Sequence, residues 1–63
     1  MNGTVKLFSE TRGWGFIIEE WTGTNFFVHQ TNCKEPIQKG DRVTFVSGIS
    51  DKGLHAAEVA LKN

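Results

Sequence analysis

No segment of this chain has the three-and-four spacing of apolar side chains that marks an amphipathic helix. Short runs of β-forming residues take its place, and turn sequences rich in Gly, Asn, Ser or Thr separate most of them. The polar stretch at 30–40 is expected to be irregular, with one helical turn at most. The sequence therefore predicts an all-β protein, with a turn at 50–53 and strands at 3–8, 14–20, 25–29, 41–46 and 54–61.

The length of the chain limits how those strands can be arranged. A chain of 63 residues buries only about 60% of the surface that its unfolded form exposes, so residues 1–63 are expected to form one small domain. Short strands at this spacing suggest a barrel or a sandwich, and this length suffices only for the barrel. The single cysteine, Cys33, excludes an internal disulfide and a site of several thiolates. Packing alone must therefore stabilise the fold.

The balance of charge excludes one way of binding nucleic acid. Seven Lys and Arg residues face seven Asp and Glu residues, which gives a formal net charge of zero. A protein that holds nucleic acid mainly through its phosphates is expected to be strongly basic. The chain has no apolar export signal and no stretch of membrane-spanning length. We therefore expect a cytoplasmic protein that makes no contact with a membrane, and the free thiol fits that compartment.

Aromatic side chains are concentrated in the second and third runs. Strand alternation places Trp14 and Phe16 on one face of the second run, and Phe27 and His29 on one face of the third. If these runs pair as a hairpin, the four rings lie side by side. Large apolar rings on an open surface call for a partner. The opposite face then supplies core residues: Ile17, Phe26 and Val28.

A flat surface of aromatic rings is suited to unpaired nucleobases. Each base that stacks on such a ring contributes about 1–3 kcal/mol, with little dependence on base identity. Lys6 and Arg12 are predicted to flank the rings, where they contact phosphates or, in the case of Arg12, stack a guanidinium on a ring. Phe8 is predicted to extend the surface along the first strand. Gly13 and Gly15 lack Cβ atoms and therefore let the strand bend and a ligand backbone approach.

These residues resemble a known family. Arg-Gly-Trp-Gly-Phe-Ile at 12–17 resembles the first ribonucleoprotein motif of the cold-shock domain, usually Lys-Gly-Phe-Gly-Phe-Ile, and Phe-Val-His at 27–29 resembles the second. Residues 3–8 and 53–59 resemble the first and last strands of that family. The resemblance covers almost the whole chain. It implies a five-stranded antiparallel barrel of the OB type that binds single-stranded RNA or DNA, commonly as an RNA chaperone.

The chain departs from the family pattern at several aromatic positions. Leu7 stands where tryptophan is usual, and Gln30 where phenylalanine is usual, so two stacking groups are missing. Strict alternation from Val5 turns Leu7 inward, and only a bulge would let it face a ligand. Trp21 either packs against the end of the barrel or extends the aromatic surface. Leu7, Trp21 and Gln30 are therefore secondary candidates for binding.

The same residues allow other classes of function. An interaction barrel could use the aromatic face to bind a peptide or a second copy of the chain. A monomer is expected, with a strand-exchanged dimer as the alternative. An enzyme is not expected, because Cys33 paired with His29 or His55 lacks an orienting group. The same three residues lack a fourth zinc ligand, and no cofactor is expected.

Overall fold

The computed structural model of the protein describes residues 1–51 and 53–62, so Lys52 of the predicted turn lies outside the described residues. The predicted all-β fold is confirmed. No helix in the described ranges is long and apolar enough to cross a membrane. The regular structure consists of a 3₁₀ turn at Gln30–Asn32 and the strands β1 Asn2–Ser9, β2 Trp14–Glu19, β3 Asn25–His29, β4 Arg42–Ser50 and β5 Gly53–Leu61.

The five strands form a closed barrel in the order β1-β2-β3-β5-β4. Four of the five neighbouring pairs are antiparallel, and the expectation of a wholly antiparallel barrel is corrected at the fifth, where β3 and β5 run parallel. Closure explains the exception. Strand directions cannot alternate around a ring with an odd number of members, so a closed five-stranded barrel must contain a parallel pair. β4 also continues to Ser50, beyond its predicted end at residue 46, because it pairs with β5 as far as Ser50 opposite Gly53.

The core contains the side chains that strand alternation turned inward, together with residues that the sequence analysis did not identify, among them Ile37. Ile37 is only 1% exposed although it lies in the polar segment predicted to be irregular. It is the only aliphatic residue of that segment, and its burial anchors the long connection between β3 and β4 to the barrel interior. The buried apolar residues are Val5, Ile17, Phe26, Val28, Ile37, Val43, Phe45, Ala56 and Val59.

A bulge in β1 reverses the direction of its side chains. The register with β2 shifts between Val5 and Leu7, so Val5 lies in the core while Leu7 is 40% exposed. This is the bulge that the family resemblance required. β1 also passes very close to Gly15, where an added Cβ would lie 2.7 Å from the Cα atom of Phe8. A residue larger than glycine at position 15 would therefore force the two strands apart.

A second bulge lies in β5. Thr44 pairs with Ala60 and Val46 with Ala57, so two residues of β5, Glu58 and Val59, face the single residue between them in β4. Glu58 has a φ of 50°, which is the only positive φ of a non-glycine residue in the described chain. This backbone conformation costs a residue with a Cβ roughly 1–2 kcal/mol, and glycine is the usual occupant of such a bulge position.

The β2–β3 turn is organised by a buried carboxylate. Glu19 is almost fully buried, and its side chain accepts hydrogen bonds from the backbone N–H groups of Trp21 at 2.9 Å and Thr22 at 3.0 Å. The Thr22 hydroxyl donates a third at 2.9 Å. The bond from Trp21 is the main cause that lowers the pKa of Glu19 below its ordinary value, and it outweighs the opposing effect of burial. Glu19 thus has a structural role that its place in the sequence did not reveal.

We expect Glu19 to make the stability of the fold depend on acidity. A carboxyl whose pKa is lowered by folding stabilises the native state above its unfolded pKa of about 4.3 and loses that effect as the pH falls through the folded value. Glu19→Gln should therefore melt at a lower temperature than wild type near pH 7, and the difference should shrink below about pH 4. Circular dichroism melts from pH 3 to pH 7 measure this. Glu20→Gln is the control, because Glu20 is exposed; a difference for Glu19→Gln that stays constant with pH would contradict the prediction.

Replacing Glu58 with glycine should stabilise the protein. The substitution removes the cost of the positive φ, which stabilises the folded state by about 1–2 kcal/mol. The greater freedom of glycine in the unfolded chain opposes this by about 0.5–1 kcal/mol. We expect the free energy of unfolding in urea to rise by roughly 0.5–1 kcal/mol. Ala57→Gly, at the neighbouring position with an ordinary backbone conformation, should instead lower it by a similar amount. Equal destabilisation by the two variants would show that the bulge is unstrained.

Candidate nucleic-acid interface

The rings of Trp14, Phe16 and Phe27 lie together on the outer face of β2 and β3; we call these three rings the aromatic cluster. Phe16 is directly opposite Phe27, and Trp14 is opposite His29. The inner face of the same strands carries the buried residues Ile17, Phe26 and Val28. The strand faces are therefore those predicted from the sequence.

The three rings support one another. Trp14 stacks on Phe27 with centroids 6.0 Å apart and planes at 26°, while Phe16 meets Trp14 edge-on at 5.8 Å and Phe27 at 6.0 Å. Each pair is within the range in which aromatic rings attract. Phe27 is 37% exposed, and the other two rings are half-buried. The cluster therefore presents open ring surface whose position is fixed by contacts within the cluster.

Leu7 and Phe8 lie on the faces opposite to those that strict alternation from Val5 predicts. Leu7 is opposite Phe16 and lies on the outer face, whereas Phe8 is opposite Gly15, on the inner face, and packs half-buried against the core. The bulge in β1 is the reason. Phe8 therefore does not extend the cluster along the first strand. It lines a cavity of about 520 Å³ at the side of the barrel, together with Gln30, Ile37 and other residues of the segment 30–37.

His29 and Gln30 lie where β3 meets the 3₁₀ turn. The His29 Nδ1 atom accepts a hydrogen bond from the Thr31 backbone N–H at 3.2 Å and lies 3.0 Å from the Thr31 hydroxyl. In the neutral ring, the hydrogen is therefore on Nε2. Gln30 is exposed, its N–H donates to the Gly13 carbonyl at 2.7 Å, and its side chain occupies the space beside Gly13. These bonds join the end of β3 to the β1–β2 turn, next to Trp14.

Lys6 and Arg12 are exposed, and neither forms an ion pair with any described residue. The backbone N–H of Arg12 donates to the Ser9 hydroxyl at 3.2 Å, which orders the β1–β2 turn and leaves the guanidinium in solvent. Both cations are thus available to a ligand.

Trp21 does not pack against the end of the barrel, as one reading of the sequence expected. It is 88% exposed in the β2–β3 turn, where its backbone N–H bonds to Glu19 while its ring makes no stacking contact with another described ring. The buried carboxylate closes this turn without help from the indole. Trp21 also follows the end of β2 opposite to the one that begins with Trp14, and the aromatic cluster does not include it.

His55 joins this face, although sequence analysis did not include it among the binding residues. The parallel pairing places His55 of β5 beside Phe27, so one row crosses neighbouring strands from Leu7 through Phe16 and Phe27 to His55. The next position in the row is Gly48 of β4, and the His55 ring covers the space that a side chain there would fill. Sequence alone does not show which residue lies beside His55. Its neighbour on the adjacent strand, Phe27, follows from closure of the barrel.

The residues considered for metal or nucleophilic chemistry are His29, Cys33 and His55. Within residues 1–51 and 53–62, no group of three His, Cys, Asp or Glu side chains is placed to hold a metal ion. Burial raises the pKa of Cys33, which keeps it in the protonated thiol form that is a poor nucleophile. Its sulfur lies 3.7 Å from the His29 carbonyl oxygen.

Comparison with known proteins identifies the family. The profile described as "'Cold-shock' DNA-binding domain" matches residues 1–62. The chain is 44% identical over 62 residues to "Cold shock protein 1" of Lactiplantibacillus plantarum, covering 92% of each protein. It is 42% identical over 62 residues to "Major cold shock protein CspA" of Pseudomonas aeruginosa, covering 92% of this chain and 88% of the relative.

A solved structure agrees with the sequence comparisons. The fold superposes on "drosophila Unr CSD456" with a TM-score of 0.73 and 25% identity, over 98% of this chain. The match spans 26% of that longer chain. Since the family profile covers residues 1–62 and the bacterial relatives align over most of their length, this chain belongs to the cold-shock domain family, which is known for nucleic-acid binding.

Proposed function

We propose that this protein binds single-stranded RNA or DNA by stacking unpaired bases on the aromatic cluster. The observation that carries the proposal is the open arrangement of Trp14, Phe16 and Phe27, with centroids about 6 Å apart on one face of the barrel. Duplex bases have their faces covered by their neighbours, so such a surface favours the unpaired strand. The proposed contact residues are Lys6, Arg12, Trp14, Phe16, Phe27 and His29, with Leu7, Trp21 and Gln30 as secondary candidates. Phe8 is not among them because it lies on the inner face.

Stacking is the expected source of affinity because the chain has little charge to offer. Its net charge is zero, and the proposed interface includes two cations, Lys6 and Arg12. Each stacked base contributes about 1–3 kcal/mol. Three rings of this kind give enough binding energy for a useful complex even after the cost of ordering the strand.

Preferential binding of unpaired strands would make the protein an RNA chaperone without any energy source. A ligand that binds only the open state shifts an equilibrium by RT ln(1 + [L]/Kd), which is about 2.7 kcal/mol at a free concentration of 100 Kd. By comparison, one stacking step of a DNA duplex is worth about 1.4 kcal/mol. One bound molecule therefore offsets roughly two steps. We place this activity in the cytoplasm, with residues 1–63 acting as a monomeric domain without catalysis.

Removing single rings of the cluster should weaken binding without unfolding the barrel. Phe16→Ala and Phe27→Ala should each reduce affinity for oligothymidine by about 1–3 kcal/mol, or roughly 5- to 150-fold, because each loses one stacking surface. The emission of Trp14, measured in a Trp21→Phe background, reports binding. Val46→Ala is the control, since Val46 is an exposed apolar residue of β4 outside the cluster. Wild-type affinity in both phenylalanine variants would rule out the cluster as the site.

The alternative, an interaction barrel that binds a peptide or itself through this face, predicts a different result. Sedimentation across a protein concentration series, with and without oligothymidine, separates the two. A change of mass that depends on the oligonucleotide supports the proposed function. A change that depends on protein concentration alone supports self-association.

The affinity should depend only weakly on salt. Contacts from Lys6 and Arg12 to two phosphates predict a slope of log Kobs against log [salt] of about −1.4 for a single strand. Removing one of them, as in Lys6→Ala, should bring the slope closer to zero by about 0.7. Binding titrations at salt concentrations from about 50 to about 500 mM measure this slope. A wild-type slope steeper than about −4 would mean that phosphates dominate binding, contrary to the proposal.

A further inference from the structure

His29 caps the short helical turn that follows β3. Its Nδ1 atom accepts a hydrogen bond from the Thr31 backbone N–H at 3.2 Å, at the start of the 3₁₀ turn Gln30–Asn32. The first N–H groups of a helical turn have no partner within the turn, so the capping residue supplies an acceptor. Serine, threonine, asparagine or aspartate usually has that role. With a histidine in their place, one nitrogen of the imidazole is committed to the protein.

A second bond from the same residue holds the ring. The Thr31 hydroxyl lies 3.0 Å from Nδ1, and because the backbone N–H already makes Nδ1 an acceptor, the hydroxyl must donate to the neutral ring. The backbone around His29 is fixed as well. The Cys33 thiol donates to the His29 carbonyl at 3.7 Å. The N–H of Gln30 donates to the Gly13 carbonyl at 2.7 Å. Both the backbone and the imidazole are therefore held in place.

The other ring nitrogen of His29 is open to solvent. In the part of the chain that the structure describes, the Nδ1 atom of His55 is the only buried side-chain nitrogen or oxygen without a hydrogen bond. The Nε2 atom of His29 bonds to no described residue, so it must have solvent-accessible surface. In the neutral ring Nε2 carries the hydrogen, because Nδ1 is the acceptor. A hydrogen-bond donor is thus held on the outer face, opposite Trp14.

We propose that Thr31 is a positioning residue of the nucleic-acid interface, which holds the His29 ring so that Nε2–H donates a hydrogen bond to an oxygen atom of the bound strand. The inference rests on the proposed function. It adds a directed polar contact to a surface that otherwise consists of stacking rings.

Holding the ring in advance favours binding. A free imidazole exists as two tautomers, and only one of them has its hydrogen on Nε2. Binding would then have to select both the tautomer and the rotation of the ring, and such ordering lowers affinity. Thr31 makes that selection before the strand arrives. A phosphate oxygen and a base carbonyl oxygen are both suitable acceptors for this donor.

A double-mutant cycle tests the coupling between Thr31 and His29 at about pH 8, where histidine is ordinarily neutral. Thr31→Val removes the hydroxyl and keeps the shape of the side chain and the backbone N–H. It should weaken binding of oligothymidine by roughly 2- to 10-fold. In a His29→Ser background, where serine still caps the turn but offers no ring nitrogen, the same substitution should leave affinity unchanged. Thr31→Ser, which keeps the hydroxyl, should bind as wild type does.

Nitrogen NMR of the histidine ring gives a second readout, which a purely structural role of Thr31 would not move. In the free wild-type protein, the two ring-nitrogen signals of His29 should be those of a single tautomer with its hydrogen on Nε2. In Thr31→Val they should move towards the average of the two tautomers. Thr44→Val, at an exposed threonine of β4, is the control and should change neither the affinity nor these signals.

A modified oligonucleotide separates the two kinds of acceptor. Difluorotoluene has the shape of thymine but lacks carbonyl oxygens, so an oligomer of this analogue keeps the phosphates and the stacking surfaces alone. If Thr31→Val weakens binding of this oligomer as it weakens binding of oligothymidine, the acceptor is a phosphate oxygen. If the effect is confined to oligothymidine, the acceptor is a base carbonyl oxygen.

The outcomes separate this contact from the stacking function. An equal loss of affinity from Thr31→Val with and without the His29 ring would show that Thr31 acts only on the fold. Averaged nitrogen signals in the wild type would show that the ring is not held. Either result overturns the positioning role and leaves stacking on the aromatic cluster standing. If His29→Ser fails to fold by circular dichroism, the nitrogen signals and the rescue by Thr31→Ser decide. Failure of the wild type to bind oligothymidine would overturn the stacking function itself, and the His29 contact with it.

Discussion

The register between β2 and β3 decides both what is buried and what is open to a ligand. With Phe16 opposite Phe27, the inner face supplies Ile17 and Val28 to the core, and the outer face carries the aromatic cluster. A slip of one residue in either strand would exchange the two faces of that strand. The cluster is thus held on the surface by the burial of the alternate residues, and the same packing that stabilises the fold fixes the positions of the rings.

Much of this arrangement could be predicted from the chain alone, because it depends on alternation with a period of two. The directions of Trp14, Phe16 and Phe27 follow from the pattern, and the bulge before Leu7 follows from the family resemblance. Other features depend on neighbours that are distant in sequence. The burial of Ile37 and the placement of His55 beside Phe27 both require the closed barrel. The parallel pair is a consequence of strand number, which the prediction of an antiparallel barrel overlooked.

The proposed interface lacks aromatic rings at both of its sides, next to β1 and next to the 3₁₀ turn, because of the residues at positions 7 and 30. On the β1 side, Leu7 continues the row of outward residues as an aliphatic side chain, where a tryptophan is usual in the family. On the side of the 3₁₀ turn, Gln30 packs beside Gly13, and the adjacent cavity is left open. The rings are therefore concentrated in the centre of the face. A short bound segment, centred on β2 and β3, is the natural consequence of this distribution.

The parallel pair has a mechanical consequence for the barrel. β3 and β5 are joined by only two residue pairs, compared with five between β2 and β3, and the nearby bridge from Cys33 to Val59 provides additional support. A closed ring of strands separates first where its neighbours share the fewest bonds. A nucleic-acid strand bound across Phe27 and His55 would contact both β3 and β5. Binding would therefore hold these two strands together and slow the opening of the barrel.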